Sequence, residues 1–298
     1  SNTNTPGIYT FYAECSSDAI CRTPTNFVIN ALPTAPTLGT ITQPTCATPT
    51  TGSVDLTNLP ASGTLSQKVG TTTTVVSYTG NSKTLSELAV GTYTFTVSNG
   101  SCESSPVSVT ISPLVTNTWN GTSWSPNIPK DETHFNENII FEGDYDANND
   151  KDLYGCSCEV KSGIVVIKEN HTMNIINDLK VTGGSLTFLN TASLVQTNDV
   201  ANTGNITYNR TTPKIRPTDY VYWSSPVIQT IGSFSTTGSL KYYYDLGWKA
   251  PSDLDVMAKG LGYIIRGQVD TETTYDASFV GVPHNGPAPI TSNTPDKY

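Results

Sequence analysis

The chain has 298 residues, only 14% of them charged, and its formal net charge at pH 7 is −9. This acidic balance excludes nucleic-acid partners and attachment to anionic lipid surfaces, which both require clustered Lys and Arg. There is no apolar run of about 18 residues, so the sequence predicts no insertion into a membrane. Thr, Ser, Asn and Gly replace the charged residues, and short alternating runs of Val, Ile, Tyr and Phe favour an all-β fold.

Two stretches that begin 84 residues apart share one pattern. Gly7 begins GIYTFYAEC and Gly91 begins GTYTFTVSN, and both stretches continue with a cysteine, an alternating Val/Ile strand and a proline. A unit of about 85 residues has the size of an immunoglobulin-like sandwich. The sequence therefore predicts the C-terminal part of one such repeat at 1–32 and a complete repeat at 33–114, with linkers near 31–36 and 113–117.

The two strands predicted at 1–32 would form an isolated hairpin, and a two-stranded hairpin alone is only marginally stable in water. We therefore expect either that the upstream half of their repeat lies outside this sequence, or that they pair with something else. In both cases further modules of the same long chain are expected partners.

Six cysteines in a Thr-rich β protein indicate disulfides and an oxidising compartment. Cys46 opens the complete repeat and Cys102 nearly closes it, so we expect a bridge between them. Cys15 and Cys21 are predicted to form a disulfide within their own hairpin; alternatively, Cys21 pairs with a cysteine upstream.

Four glycines, Gly143, Gly163, Gly184 and Gly204, follow one another at intervals of 20 to 21 residues. That period matches one coil of a parallel β-solenoid, with glycines at corners that require positive φ. Residues one period apart should lie in three buried stacks: Val165 with Leu186 and Ile206, Ile167 with Phe188 and Tyr208, and Val160 with Val181. We assign the solenoid to 115–210; an antiparallel meander with coincidental spacing is the alternative.

From 211 to 298 the period is lost, aromatic residues become frequent, and strand-like runs alternate with Gly/Pro turns. This pattern predicts a sandwich-like β domain, which has no obvious closing strand. Strand alternation sends about half of the rings inward, so Trp223 and Tyr263 are predicted core residues. Trp248 lies beside Gly247 in a predicted turn and is the candidate exposed ring for stacking on glycans.

Six segments carry a resemblance to a known family: WNGTSWSPNIP (119–129), CSCEVKSG (156–163), GGSLTF with ASLVQTND (183–199), DYVYWSSPV (219–227), KGLGYIIRG (259–267) and FVGVPHNG (279–286). They resemble large exported proteins of Bacteroidetes-type bacteria, which carry immunoglobulin-like repeats and are substrates of the type IX secretion system. The family's C-terminal sorting signal does not occur in this sequence. The resemblance implies a location on the surface of a Gram-negative bacterium, with the secretion machinery and cell-surface components as partners. It defines no catalytic residue.

Oxygen-bearing side chains occupy every second position of GDYDANNDKDLYG (143–155), namely Asp144, Asp146, Asn148, Asp150 and Asp152. Hard oxygen ligands at this spacing resemble the start of a calcium loop, so calcium is the candidate cofactor. The bidentate Glu that such a loop needs at its twelfth position is replaced by Gly155. A plain polar loop of turn-forming residues is the alternative.

Cys156 and Cys158 form a CxC motif directly after this loop. They are interpreted as a small disulfide ring, as two free buried thiols, or as metal ligands. His134 and His171 are not at a spacing that would complete a metal site.

Three functions fit these observations. The first is a non-enzymatic structural or adhesive protein of the bacterial exterior. The second is a carbohydrate-binding module, which exposed coplanar aromatic rings would distinguish. The third is a polysaccharide-degrading enzyme on the solenoid, which a groove with converging carboxylates would distinguish. The histidines lie in polar, loop-like contexts that do not suggest a nucleophilic triad.

Overall fold

The computed structural model describes residues 5–15, 18–100, 102–146, 152–234, 240–244, 247–267 and 269–288. It confirms the all-β prediction, because strands dominate and the two helices of the described residues have only four or five residues. None of the helices in this part of the chain has the length and hydropathy to cross a membrane. The chain divides into two compact units, Ser1–Pro113 and Leu114–Tyr298.

The described residues of the first unit form nine strands. They are β1 (Gly7–Cys15), β2 (Asp18–Ile29), β3 (Thr37–Thr42), β4 (Thr51–Thr57), β5 (Ser62–Val69), β6 (Thr72–Thr79), β7 (Lys83–Ala89), β8 (Gly91–Ser98) and β9 (Val107–Ile111). β1 and β2 form an antiparallel hairpin, while the other seven form two antiparallel sheets with strand orders β3-β4-β7 and β6-β5-β8-β9. Three strands facing four is an immunoglobulin-like sandwich, as the repeat length predicts.

The sandwich core follows from strand alternation. Every second residue of β4 and β8 is buried, so Leu56, Phe95 and Val97 point between the sheets while the intervening Thr and Ser residues point outward. The Tyr93 hydroxyl donates a hydrogen bond to the carbonyl oxygen of Ala89 at 2.8 Å, four residues upstream. This arrangement at the start of β8 is the tyrosine corner typical of immunoglobulin-like sandwiches.

The predicted Cys46–Cys102 bridge is wrong: Cys102 has a free thiol, whereas Cys46 is disulfide-bonded. Gln43, three residues before Cys46, bonds Thr110 and therefore lies where β8 begins. Cys102 closes a turn with Asn99, just after β8 ends. An eight-residue strand is about 23 Å long, far beyond disulfide reach. The side chains of Cys15 and Cys21 lie outside the described residues, so their pairing stays a prediction.

The second unit begins with the solenoid and a 3₁₀ helix (Glu132–Asn136). Its strands are β10 (Thr116–Trp119), β11 (Trp124–Ser125), β12 (Asn138–Glu142), β13 (Tyr145–Asp146), β14 (Leu153–Gly155), β15 (Cys158–Ser162), β16 (Ile164–Ile167), β17 (Thr172–Ile175), β18 (Leu179–Val181), β19 (Ser185–Phe188), β20 (Ser193–Gln196) and β21 (Ile206–Thr211). Three parallel sheets result, β10-β12-β15-β18, β13-β16-β19-β21 and β14-β17-β20, and β11 pairs antiparallel with β10. Three successive coils, β12 to β14, β15 to β17 and β18 to β20, each contribute one strand to each sheet, which confirms the solenoid and rules out the meander.

The predicted stacks are present in register. Val165 pairs with Leu186, Ile167 with Phe188, and Phe188 with Tyr208, while Val160 pairs with Val181. The Phe188 and Tyr208 rings stack with centroids 4.7 Å apart. Side chains one coil apart therefore fill the interior because each pair sits at the spacing of neighbouring strands in a sheet.

The glycine period has two physical causes. Gly163, Gly184 and Gly204 have φ between +70° and +89°, as predicted for corners. Gly143 does not have positive φ; there a Cβ atom would lie 2.6 Å from the Cα of Gly121, so backbone packing between coils excludes a side chain.

After the solenoid the chain adds β22 (Tyr220–Trp223), a short helix α1 (Ile231–Phe234), β23 (Lys241–Tyr244), β24 (Trp248–Lys249), β25 (Tyr263–Arg266) and β26 (Asp276–Gly281). β26 pairs antiparallel with β21, and β22-β25-β23-β24 form a separate antiparallel sheet. One core runs from the solenoid into this segment, where Trp223, Phe234 and Phe279 form a ring cluster. The predicted boundary at 210/211 therefore does not divide two units: the segment covers the apolar end of the last coil.

Candidate glycan-binding face

The outward face of the sheet β22-β25-β23-β24 is set by cross-strand register. Trp223 and Tyr243 both pair with Tyr263, and all three belong to or pack on the core. The next row, Tyr222–Ile264–Tyr242, therefore points to the opposite side, because neighbouring residues of a strand face opposite ways. The predictions that Trp223 and Tyr263 are core residues are confirmed.

Four aromatic side chains of this sheet are exposed. The exposed fractions are 79% for Tyr222, 60% for Trp248, 52% for Tyr244 and 41% for Tyr220. The Tyr244 and Trp248 rings contact each other edge to face, with centroids 5.7 Å apart and planes at 81°. We call Tyr220, Tyr222, Tyr242, Tyr244 and Trp248 the aromatic face.

The aromatic face combines apolar area with hydrogen-bonding groups. Tyrosine and tryptophan rings offer flat apolar surfaces, and their hydroxyl and indole N–H groups remain available to a polar ligand. Tyr222 and Tyr242 are separated by two strand spacings, about 9.6 Å, which is the order of a disaccharide's length. Such a surface suits a saccharide, since each pyranose ring has an apolar C–H face and an equatorial rim of hydroxyls.

Sequence reasoning selected Trp248 and missed the tyrosines beside it. The alternating aromatics of YVYW and KYYY indicated that half of the rings point outward, without showing which half. Pairing of β22 and β23 with β25 decides this point, because it assigns Tyr222 and Tyr242 to the same row.

Three of the candidate calcium ligands, Asp144, Asp146 and Asp152, lie among the described residues of the solenoid. The Asp144 carboxylate accepts a hydrogen bond from the Ile164 amide at 2.8 Å, and the Asp152 carboxylate accepts one from the Thr172 amide at 2.8 Å. Asp146 forms an ion pair with Lys168 at 2.8 Å. Each aspartate thus reaches one coil ahead, which explains their spacing without an ion.

The remaining predicted calcium ligands, Asn148 and Asp150, lie outside the described residues. Within the described ranges no cluster of three or more His, Cys, Asp or Glu side chains is arranged to hold a metal. Calcium binding by the loop stays a prediction.

The CxC motif is divided between two environments. Cys156 is disulfide-bonded, whereas Cys158 is a free thiol that pairs with Ile139 and Leu179 inside the solenoid. Burial, followed by the nearby Glu159 and Asp178 carboxylates, raises the pKa of the Cys158 thiol. The predicted ring between the two cysteines is therefore wrong. Two residues of extended chain span about 6.6 Å, the upper limit for a disulfide, and their side chains are parallel.

A cleft of about 580 Å³ runs beside β20, with Asp199 and the loop of His284 in its walls. Asp199 is the one carboxylate among the described residues that line it. His284 has a buried Nε2 atom without a partner in the described part of the chain. Burial, and then the charge of Lys259, lowers the pKa of His284. This cleft does not bring together the carboxylate pair of a glycosidase.

A family model described as a domain of unknown function, DUF8693, matches residues 112–297. Since that match covers more than half of the chain, the protein belongs to this family. The matched range nearly coincides with the second unit, so the family's domain includes both the solenoid and the sheet that bears the aromatic face. Neither a curated protein nor a solved structure matches the chain significantly.

Proposed function

We propose that this member of the DUF8693 family is part of a non-enzymatic adhesive protein of the bacterial surface, which attaches to glycans through the aromatic face. The observation that supports the proposal is four large aromatic side chains exposed on one sheet. Exposed apolar rings at this density are unusual on a solvated surface and are typical of a binding site.

The architecture is consistent with a presenting role. A disulfide-bonded sandwich and a solenoid follow one another along the chain. Disulfides form and persist outside the reducing cytosol, which favours the extracellular location. In this proposal the type IX secretion machinery exports the protein, and cell-surface components and other modules of the chain are its neighbours.

The test is a binding screen of the whole chain against soluble polysaccharides by isothermal titration calorimetry, with and without calcium. For a polysaccharide that binds, we expect Tyr222→Ala and Trp248→Ala each to weaken affinity by about tenfold, the equivalent of ~1.4 kcal/mol for one lost ring contact. Tyr12→Ala is the matched control, because the Tyr12 side chain is as exposed as that of Trp248, at 60%, but lies on β1 in the first unit.

Equal weakening by all three substitutions would indicate non-specific adsorption. Absence of binding across the panel would refute glycan attachment and leave the chain with a purely structural role. Binding that requires calcium and survives both face substitutions would refute the aromatic face as the binding site and would assign binding to the loop at 143–155.

A further inference from the structure

The β1–β2 hairpin reproduces the β8–β9 hairpin of the complete sandwich over five consecutive residue pairs. Gly7 pairs with Ile29 and Tyr9 with Phe27, as Gly91 pairs with Ile111 and Tyr93 with Val109. The register is thus the same when 84 is added to the first strand and 82 to the second. Equal register places Tyr9, Phe11, Phe27 and Ile29 on the face that corresponds to the core side of β8 and β9.

Two side-chain contacts repeat as well. The Tyr9 hydroxyl donates a hydrogen bond to the Thr5 carbonyl oxygen at 2.8 Å, which matches the tyrosine corner of Tyr93. Thr10 bonds Asn26 across the hairpin at 2.9 Å, at the position where Thr94 bonds Ser108. The hairpin is therefore shaped as the last two strands of an immunoglobulin-like sandwich.

The two hairpins differ in burial. Phe95 is fully buried, whereas its counterpart Phe11 is 47% exposed; Val109 is 6% exposed, whereas its counterpart Phe27 is 57% exposed. In the complete repeat, β8 pairs with β9 along one edge and with β5 along the other. The corresponding strand β1 pairs only with β2, in a two-stranded sheet of the described residues. Both an apolar face and a sheet edge of the hairpin correspond to surfaces that are covered in the repeat.

We propose that the face formed by Tyr9, Phe11, Phe27 and Ile29 is the docking surface for five strands arranged like β3–β7, contributed by a segment of the same polypeptide that has no β8–β9 hairpin of its own. In the complete repeat, β4 and β7 cover the equivalent face with Val54, Leu56 and Leu85, and β5 covers the edge. In a second copy of this chain, as in any complete repeat, β5 is already paired with β8 and is not free to cover the edge of the hairpin. This inference does not depend on glycan binding.

The test uses the whole chain lengthened at its start, with a copy of residues 34–90 joined directly to Gly7 in place of residues 1–6. This copy supplies five strands of the required type. Hydrogen–deuterium exchange of the Phe11 amide is compared with that of Phe95, an internal reference for correct folding. We expect exchange at Phe11 to slow at least a hundredfold relative to the original chain.

Two variants of the lengthened chain sharpen the test. Phe11→Asp should abolish the protection, because a carboxylate would enter the apolar interface. Tyr12→Asp should retain the protection, because Tyr12 lies on the opposite face of β1.

Unchanged exchange at Phe11, with Phe95 still protected, would overturn the proposal. It would also be overturned if the original chain dimerised in sedimentation experiments and dimerisation alone protected Phe11, since a second copy would then be the occupant.

Discussion

Replacement of Gly184 by alanine tests the physical basis of the solenoid corner. Gly184 has φ +70°, and a Cβ atom there would lie 2.2 Å from the carbonyl oxygen of Gly163 on the preceding coil. The left-handed conformation costs alanine about 1–2 kcal/mol. Relief of the contact requires a backbone shift, for which overpacked sites typically lose another ~1–3 kcal/mol.

We therefore expect Gly184→Ala to lower the free energy of unfolding by about 3 kcal/mol. For a unit of this size that corresponds to a fall in Tm of about 6–12 °C. The assay is thermal unfolding followed by tryptophan fluorescence. All four tryptophans, Trp119, Trp124, Trp223 and Trp248, lie in the second unit, so the signal reports on that unit alone.

Gly262→Ala is the control, because Gly262 lies in the same unit, has no positive φ and would place its Cβ atom in open space. Its Tm should stay within about 2 °C of the unsubstituted protein. If Gly184→Ala unfolded at the same temperature as this control, neither the positive φ nor the backbone contact between coils would explain the glycine at this corner.

Three further outcomes follow from the described contacts. Phe188→Ala should cost about 3–5 kcal/mol in urea unfolding, since the ring is fully buried between coils; a loss below 1 kcal/mol would contradict the stacked core. Tyr93→Phe should cost about 1 kcal/mol in calorimetry through its lost corner bond, while Tyr78→Phe should be neutral or stabilising because its buried hydroxyl has no partner among the described residues. A thiol reagent should label Cys102 in the native protein and Cys158 only after unfolding, because burial both hides the Cys158 thiol and raises its pKa; native labelling of Cys158 would contradict its place in the solenoid.

Patterns within a few residues identified much of the fold. In a strand, side-chain direction has a period of two, so Tyr93, Phe95 and Val97 could be placed in a core before their neighbours were known. The intervals between the glycines revealed the length of a coil, which fixed the stack of Val165 on Leu186. Both inferences succeed because the chain repeats one local geometry.

Long-range arrangement was harder to predict. The Cys46–Cys102 bridge failed because both cysteines flank the same sheet but lie at opposite ends of β8. Asp144 and Asp152 each accept a hydrogen bond from an amide of the following coil, a contact that their spacing did not indicate. The spacing of residues within one loop does not show which residue of another segment a side chain meets.

The sequence by itself determined the all-β class, the immunoglobulin-like repeat and the solenoid, since strand alternation and a fixed repeat length are both visible in the order of residues along the chain. Only the tertiary structure decided that the last segment shares the solenoid core and that Tyr222, Tyr244 and Trp248 share its outer surface. The physical reason is that an aromatic strand is compatible with water on either face. The apolar end of the last coil buries one of these faces and leaves the other exposed.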